Sequence, residues 1–369
     1  MKNKIKLLLT AMIPLLILNC SGKVKPSKLP HTYPPITSNN PVKSQANRPS
    51  LGTPIKTIVQ NSEPIKQIPN VAVIPPTPNI ISRPPTVEQI AKHGVSHFSK
   101  KFKLPRKVDE TSGLIKIDNR LWTLNDSGGK SALYQIDEQT GRILKTLIIK
   151  NAYNRDWEDI AYDDTYVYIG DFGNNRGNRK DLKIYKIPRS SLHTSTTVRA
   201  ETIHFFYSDQ KEFKSKPQRN NYDCEAMVAY RGKLYLFSKN WQNQKTRLYE
   251  LTTRANTSKD KHKAQYISKF NIDGMVTGAS LNKELNILLL STYSSLLNVK
   301  VWAFTNFKRN NFFNGDAKRL KFKNTLNGQV EGITFIDNYK AYMSSESFKK
   351  YIFSFDATLY SLDFSGEFE

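Results

Sequence analysis

Short runs of alternating apolar and polar residues fill the chain from about residue 96 onward, and no helical period of convincing length interrupts them. Runs of this kind, rich in β-branched and aromatic side chains, predict β-strands. They fall into groups of four, and the first group covers 111–117, 121–125, 132–137 and 143–149. The next groups are 158–162, 166–171, 182–187 and 201–207; 225–230, 234–238, 247–252 and 265–270; and 277–281, 287–292, 299–305 and 319–322. The pattern predicts an all-β domain of repeated four-stranded units.

A short phrase recurs near the start of each group, with an oxygen-bearing residue followed by small or apolar residues. The phrase-start residues are Ser112, Glu158, Glu225, Thr277 and Glu331. Their spacings of about 46, 67, 52 and 54 residues are typical of propeller blades and too long for solenoid turns.

The fifth group contains strands 331–336, 340–345 and 359–364 but no clear fourth strand. The run 97–103, just before the first group, can supply it, and pairing the two ends would remove an exposed sheet edge. The predicted fold is a five-bladed β-propeller of four-stranded antiparallel blades, closed by pairing of the N-terminal strand with the last blade. Two packed β-sandwiches are the main alternative.

In an antiparallel blade, the start of the first strand and the end of the second lie on the same rim. The phrase-start residues would therefore meet on the axis and share their rim with Asp126, Asp171, Lys239, Thr292 and Glu346. Converging carboxylates must be protonated, paired with bases or bound to a cation. Calcium accepts six to eight oxygen ligands, so the ring predicts a calcium site, whereas the six scattered His do not indicate zinc. The alternative is that these Glu residues bond backbone amides or pair with Arg and Lys.

Residues 1–19 have the composition of a secretory signal peptide, with three early Lys, an apolar stretch at 5–18 and no acid. The stretch is too short for a good membrane span. The sequence Ile-Leu-Asn-Cys at 17–20 resembles the lipobox of bacterial lipoproteins, although Asn19 replaces the usual small residue. The resemblance implies a lipidated Cys20 and stable membrane anchoring. The alternative is an ordinary secreted protein, and Cys224, the only other cysteine, leaves the mature lipoprotein without a disulfide partner.

Residues 20–95 contain 14 of the 18 prolines and no hydrophobic periodicity, which predicts a disordered, semi-extended tether. The remaining domain, 96–369, carries 44 Lys or Arg against 30 Asp or Glu. Excess positive charge favours anionic partners such as phospholipid head groups, lipopolysaccharide or extracellular polyanions. Nucleic acid is not expected, because no binding motif accompanies the charge. We expect a monomer located in the bacterial cell envelope.

Two segments resemble the soluble calcium-dependent apyrases, five-bladed propellers that hydrolyse nucleoside diphosphates and hold calcium in the central tunnel. Residues 112–126 are similar to the first-blade pattern of an axial Ser, a strand and a closing Asp-Asp, and 158–173 to the second blade. Residues 225–235 and 330–336 resemble the third and fifth blades, and 277–279 occupies the place of the fourth-blade phrase. Asn174-Asn175-Arg176 replaces the family's Lys-Glu-Trp. Phytase-like and gluconolactonase-like calcium propellers are also similar to this chain.

The resemblance implies calcium ligands at Ser112, Glu158, Glu225, Thr277 and Glu331. It also implies that Asp126 is an active-site carboxylate and that Lys239 contacts a phosphate.

The mechanism expected on this basis is hydrolysis of a phosphorylated or otherwise anionic substrate. Asp126 or Asp171 would orient or deprotonate water, Lys239 would neutralise developing negative charge, and the substrate oxygen would be polarised by bound calcium. Asn125 and the following turn would offer polar groups to an anion, with Glu346 on the same rim, although a hairpin turn also explains the glycines there. The alternative function is a non-enzymatic scaffold of the envelope.

Overall fold

The computed structural model describes residues 95–323, 326, 328–350 and 353–368. The predicted signal peptide, the tether up to residue 94, and Cys20 lie outside the described residues. The described part is nearly all β, with one α-helical turn at Ser191–Thr194 and 3₁₀ turns at Arg106–Val108 and Ser365–Glu367. Within it, no helix has the length and apolarity needed to cross a bilayer.

The strands begin and end as follows. In the first half they are β1 (His97–Lys103), β2 (Thr111–Ile117), β3 (Arg120–Asn125), β4 (Ala132–Ile136), β5 (Ile143–Ile149), β6 (Trp157–Tyr162), β7 (Tyr166–Asp171), β8 (Lys183–Pro188), β9 (Thr197–Val198), β10 (Glu201–Tyr207), β11 (Asp223–Tyr230) and β12 (Lys233–Lys239). In the second half they are β13 (Thr246–Thr252), β14 (His262–Phe270), β15 (Met275–Asn282), β16 (Ile287–Tyr293), β17 (Val299–Thr305), β18 (Asp316–Arg319), β19 (Val330–Asp337), β20 (Lys340–Ser345), β21 (Phe348–Lys350), β22 (Phe353–Phe355) and β23 (Thr358–Asp363).

Antiparallel pairing arranges most of these strands in consecutive units, β2 to β5, β6 to β8 with β10, β11 to β14, and β15 to β18. The last unit has the order β1-β23-β20-β19, with His97 opposite Asp363 and Lys103 opposite Thr358. Short parallel pairings join β9 to β5, and β10 to β14. Strands β21 and β22 pair only with each other in the described sheets.

The first strands of the units contact one another in a closed circuit, from β2 through β6, β11, β15 and β19 back to β2. Each of five apolar clusters lies between two neighbouring units; one contains Trp122 from β3 and Trp157 from β6. Sheets packed face to face around an axis are the arrangement of a β-propeller.

The predicted strand boundaries lie within three residues of those in the structure, and the outer strand of the fourth unit is displaced by three residues at both ends. The prediction was 319–322, whereas β18 is Asp316–Arg319. Residues Asp316–Arg319 make the ladder with β17, while Leu320 is buried and Phe322 stacks on Phe98 of β1. The apolar residues that suggested a strand there pack into the core instead.

Candidate functional site

Each innermost strand departs from regular pairing at its predicted phrase-start residue. The ladder register shifts across Ser112 and Gly113 in β2, and across a single residue in each of the other four strands, Glu158, Glu225, Thr277 and Glu331. A bulge of this kind re-aims a side chain and is common beside functional sites. It explains how a polar residue is accommodated in strands that are otherwise almost entirely buried and apolar.

Four of these five residues line one small axial cavity; Thr277 does not. The cavity has a volume of about 20 Å³, which is room for one or two water-sized occupants. Its charged lining residues are Asp126, Glu158, Glu225, Glu331, Glu346 and Lys239. Five carboxylates therefore face a single ammonium group in the described lining.

The two hydroxyl residues of the ring act as links between neighbouring innermost strands. Ser112 Oγ donates to the Glu158 carbonyl oxygen, and Thr277 Oγ1 donates to that of Val330, both at 2.5 Å. Ser112 is thus held at the cavity wall, while Thr277 lies away from it.

Lys239, at the end of β12, is almost fully buried and lies 3.1 Å from Glu225 Oε2. Its Nζ also lies 4.9 Å from the ring centroid of Trp241 and 5.3 Å from that of Tyr293. Burial disfavours the ammonium form, but Glu225 and other neighbours outweigh it and hold the pKa of Lys239 well above its usual value. This lysine is a fixed internal positive charge.

Asp171 and Asn125, which the sequence placed on the same rim, do not line the cavity. Asp171 Oδ1 accepts a hydrogen bond from Arg179 Nη2 at 2.7 Å, and Lys183 lies 3.4 Å away. Asn125 Nδ2 donates to the Lys107 carbonyl oxygen at 2.8 Å. Glu346 and Asp126 do line it, and both are half-buried.

Sequence reasoning missed Asp156. One oxygen from each of Asp126, Asp156 and Glu158 lies within 4.8 Å of the others. A signal was present: the residues two positions before the phrase starts are Glu110, Asp156, Asp223, Met275 and Gln329, of which four are polar. Glu110, Asp156 and Gln329 come directly before their strands, and Gln329 also lines the cavity, so this second row extends the polar surface at the strand starts.

Gly173 and Arg179 lie directly against the carboxylates of Asp156 and Glu158. A Cβ built on Gly173 would lie 2.0 Å from Glu158 Oε1 and 2.6 Å from Asp156 Oδ2. Arg179 Nη1 donates to the Gly173 carbonyl oxygen at 2.7 Å and lies 3.8 Å from Asp156 Oδ2. Close packing at Gly173 therefore requires the absence of a side chain.

Burial and mutual repulsion raise the pKa values of the carboxyl groups that line the cavity. Burial, and after it the neighbouring carboxylates, hold the pKa of Asp126, Glu158 and Glu346 well above their usual values. The pKa of Glu225 is raised chiefly by burial, against the opposing charge of Lys239. Burial likewise raises the pKa of Glu331 to about 6. The carboxyl groups of the cavity therefore require bound protons or a bound cation.

No protein-family model and no curated protein matches the chain. Among solved structures, a chain titled "Crystal Structure of Mitotic Checkpoint Complex" is similar over 63% of this chain and 57% of that chain, at 11% identity and a TM-score of 0.31.

Proposed function

We infer that the described domain is a five-bladed propeller closed by its N-terminal strand. The closed circuit of the five innermost strands supports the blade number. Six residue pairs between β1 and β23 support closure, since β1 takes the outer position of the last unit.

We propose that the axial cavity binds a divalent cation, and that this cation is calcium. The observation that carries the proposal is the imbalance of five carboxylates against one ammonium group in a cavity of about 20 Å³. Oxygen donors are the ligands that calcium takes, and two cavity oxygens, Asn175 Oδ1 and Glu331 Oε2, are buried without a hydrogen-bond partner among the described residues. The donor set therefore fits calcium.

We further propose that the protein is a calcium-dependent hydrolase of a phosphorylated or otherwise anionic substrate. Asp126 and Glu346 are the more exposed carboxylates of the cavity and are the residues positioned to hold or deprotonate a water at its mouth. Bound calcium would supply positive charge to a phosphoryl or carbonyl oxygen of the substrate. The excess of basic residues in 96–369, 44 Lys or Arg against 30 Asp or Glu, favours the approach of an anion.

Activity should be measured on nucleoside diphosphates, phytate and lactones, with calcium and with chelator. We expect product release that requires calcium and is lost in Asp126→Asn. The half-buried Asp137, whose pKa is lowered by hydrogen bonds within its own turn, provides the control variant Asp137→Asn, which should retain activity. No turnover on any of these substrates would contradict the hydrolase.

A non-enzymatic binding platform is the second candidate, and the size of the cavity favours it. A volume of about 20 Å³ admits an ion or water but no organic substrate. Bound calcium would then stabilise the fold and take no part in catalysis. In that case calcium raises the melting temperature while all substrates remain intact.

The envelope location rests on the N-terminal segment. We propose that Cys20 is lipidated and anchors the propeller to a bacterial membrane, with residues 20–95 as a basic spacer and an envelope polyanion or anionic substrate as the partner.

A further inference from the structure

The carboxylates in and beside the axial cavity differ in whether a base lies next to them. Glu225 has a counter-ion at 3.1 Å in Lys239. Asp126, Asp156 and Glu158 instead bring three carboxylate oxygens within 4.8 Å of one another. The buried base beside this group, Arg179, already bonds Asp171 at 2.7 Å and reaches Asp156 only at 3.8 Å. The group of three therefore has the least direct compensation by a base.

Glu158 is the clearest sign of a missing positive charge. Its residue is 3% exposed, yet its carboxylate has no hydrogen bond or ion pair with any part of the chain that the structure describes. The adjacent Asp159 is hydrogen-bonded, as buried carboxylates usually are. It accepts hydrogen bonds from the backbone N–H groups of Ile160 at 2.8 Å and Met227 at 2.7 Å. A buried carboxylate without a donor from the protein requires a water, a proton or a cation.

Unpartnered oxygen atoms from outside this group also face the cavity. Glu331, 6% exposed, has a buried Oε2 with no hydrogen-bond partner among the described residues. It belongs to the cavity lining but not to the group of three. This single unpartnered oxygen is a further sign that the cavity accommodates a water or a cation.

The ring of five calcium ligands predicted from the sequence agrees poorly with these side-chain contacts. Thr277 does not line the cavity, and its hydroxyl donates to the Val330 carbonyl oxygen. Glu225 is already neutralised. A cation centred on the axis would have to share the ring with the Lys239 ammonium group, which like charge disfavours.

We propose that the divalent cation is held off the axis by Asp126, Asp156 and Glu158, between the first two units, and that Lys239 is the built-in counter-ion of Glu225. This assignment rests on the proposed binding of calcium and specifies which residues bind it. Three carboxylates leave part of a calcium shell of six to eight oxygens for water or an anionic ligand. Lys239 is then a positioning charge and not a contact for substrate.

The test is calcium titration calorimetry on the full-length protein, with melting temperature as a second readout. Asp156→Asn should weaken calcium binding by about tenfold or more. The charge-balanced double variant Glu225→Gln/Lys239→Met, and Thr277→Val, should bind calcium within about threefold of wild type, a difference smaller than the loss expected at a ligand. Asp164→Asn removes an exposed carboxylate from the turn between β6 and β7 and serves as the matched control.

Each outcome decides the assignment. If Asp156→Asn binds like wild type while the double variant or Thr277→Val loses calcium, the cation lies on the axis; the off-axis site is then wrong, but the proposed function stands. If wild type itself shows neither binding heat nor a thermal shift, both are wrong. Glu158→Gln is the second variant should Asp156→Asn fail to fold, and it should show the same loss of binding.

Discussion

At the scale of single residues, the cavity depends on side chains whose surroundings are unusual for their type. Glu158 and Lys239 are both almost fully buried, but only Lys239 has a counter-ion in the described residues. Gly173 has no side chain because the carboxylates of Asp156 and Glu158 occupy that space. The identity of each residue is thus explained by its neighbours across the cavity and not by its own strand.

Gly173→Ala tests the packing of the carboxylate group. The new Cβ would lie 2.0 Å from Glu158 Oε1, so the carboxylate must rotate away, which a flexible side chain does at a cost of about 1 kcal/mol. We expect the unfolding free energy with chelator to fall by about 1 kcal/mol and the calcium affinity to fall by about tenfold. Gly129→Ala is the control, since its nearest atom would be 3.6 Å away. Equal calcium affinity in the two variants would contradict the packing argument.

A pH dependence follows from the raised pKa values. Burial raises the pKa of Asp156 to about 7 and that of Glu331 to about 6. The folded, cation-free protein therefore binds protons more tightly than the unfolded chain, whose carboxyls titrate at about pH 4. This protonation stabilises the fold at low pH, and the stabilisation is lost as the pH rises from about 4.5 to about 7.

With chelator present, Asp156→Asn/Glu331→Gln should consequently melt above wild type at about pH 7.5, and the gap should narrow toward pH 5. Thermal unfolding across this range measures it. A gap that does not change with pH would show that these two groups do not titrate with raised pKa values.

At the scale of elements, the innermost strands combine apolar packing with one irregular residue each. Strand β11 is buried along its whole length, so both of its faces are covered by neighbouring units. The shift in register at Glu225 lets one charged residue turn toward the axis without moving the apolar residues after it. The outer strands differ, because most positions of β5 and β14 are partly or fully exposed.

The N-terminal strand provides a test at this scale. Phe98 of β1 stacks on Phe322 with ring centroids 4.0 Å apart and is half-buried. Phe98→Ala should lower the unfolding free energy by about 2 kcal/mol, roughly half the value for a fully buried Phe. Denaturant unfolding measures the change, and Ser99→Ala, at an exposed position of the same strand, should have no effect. A neutral Phe98→Ala would argue against a stabilising role for β1.

At the scale of the whole molecule, the proposed location of the propeller depends on charge and on the proposed lipid anchor. The formal net charge of +24 attracts anionic surfaces over about one Debye length, near 8 Å at physiological salt. Lipidation would add an attachment that salt does not weaken, because it depends on buried acyl chains.

Cys20→Ser should move the protein from the membrane fraction to the soluble fraction in high salt. Fractionation followed by mass spectrometry of the N-terminal peptide measures both the location and the modification. Cys224→Ala is the control, because Cys224 is buried in β11 and burial raises its thiol pKa far above the usual range. A soluble wild-type protein without an acyl group would contradict the anchor.

The sequence by itself determined the strands and the positions of the polar residues that interrupt them. Alternation and β-branched content are local properties, so β2, β7 and β20 could be placed correctly, and Ser112, Glu158, Glu225 and Glu331 could be singled out as residues near the axis.

Only the tertiary structure decided which of these residues meet. The approach of Asp156 to Asp126, the pairing of Lys239 with Glu225 and the withdrawal of Thr277 from the cavity depend on bulges and turns that set the direction of each side chain. A strand period of two assigns a residue to a face, but a bulge interrupts that period and contacts between units join residues distant in sequence. For this reason the chemistry of the cavity was only partly predictable from the sequence.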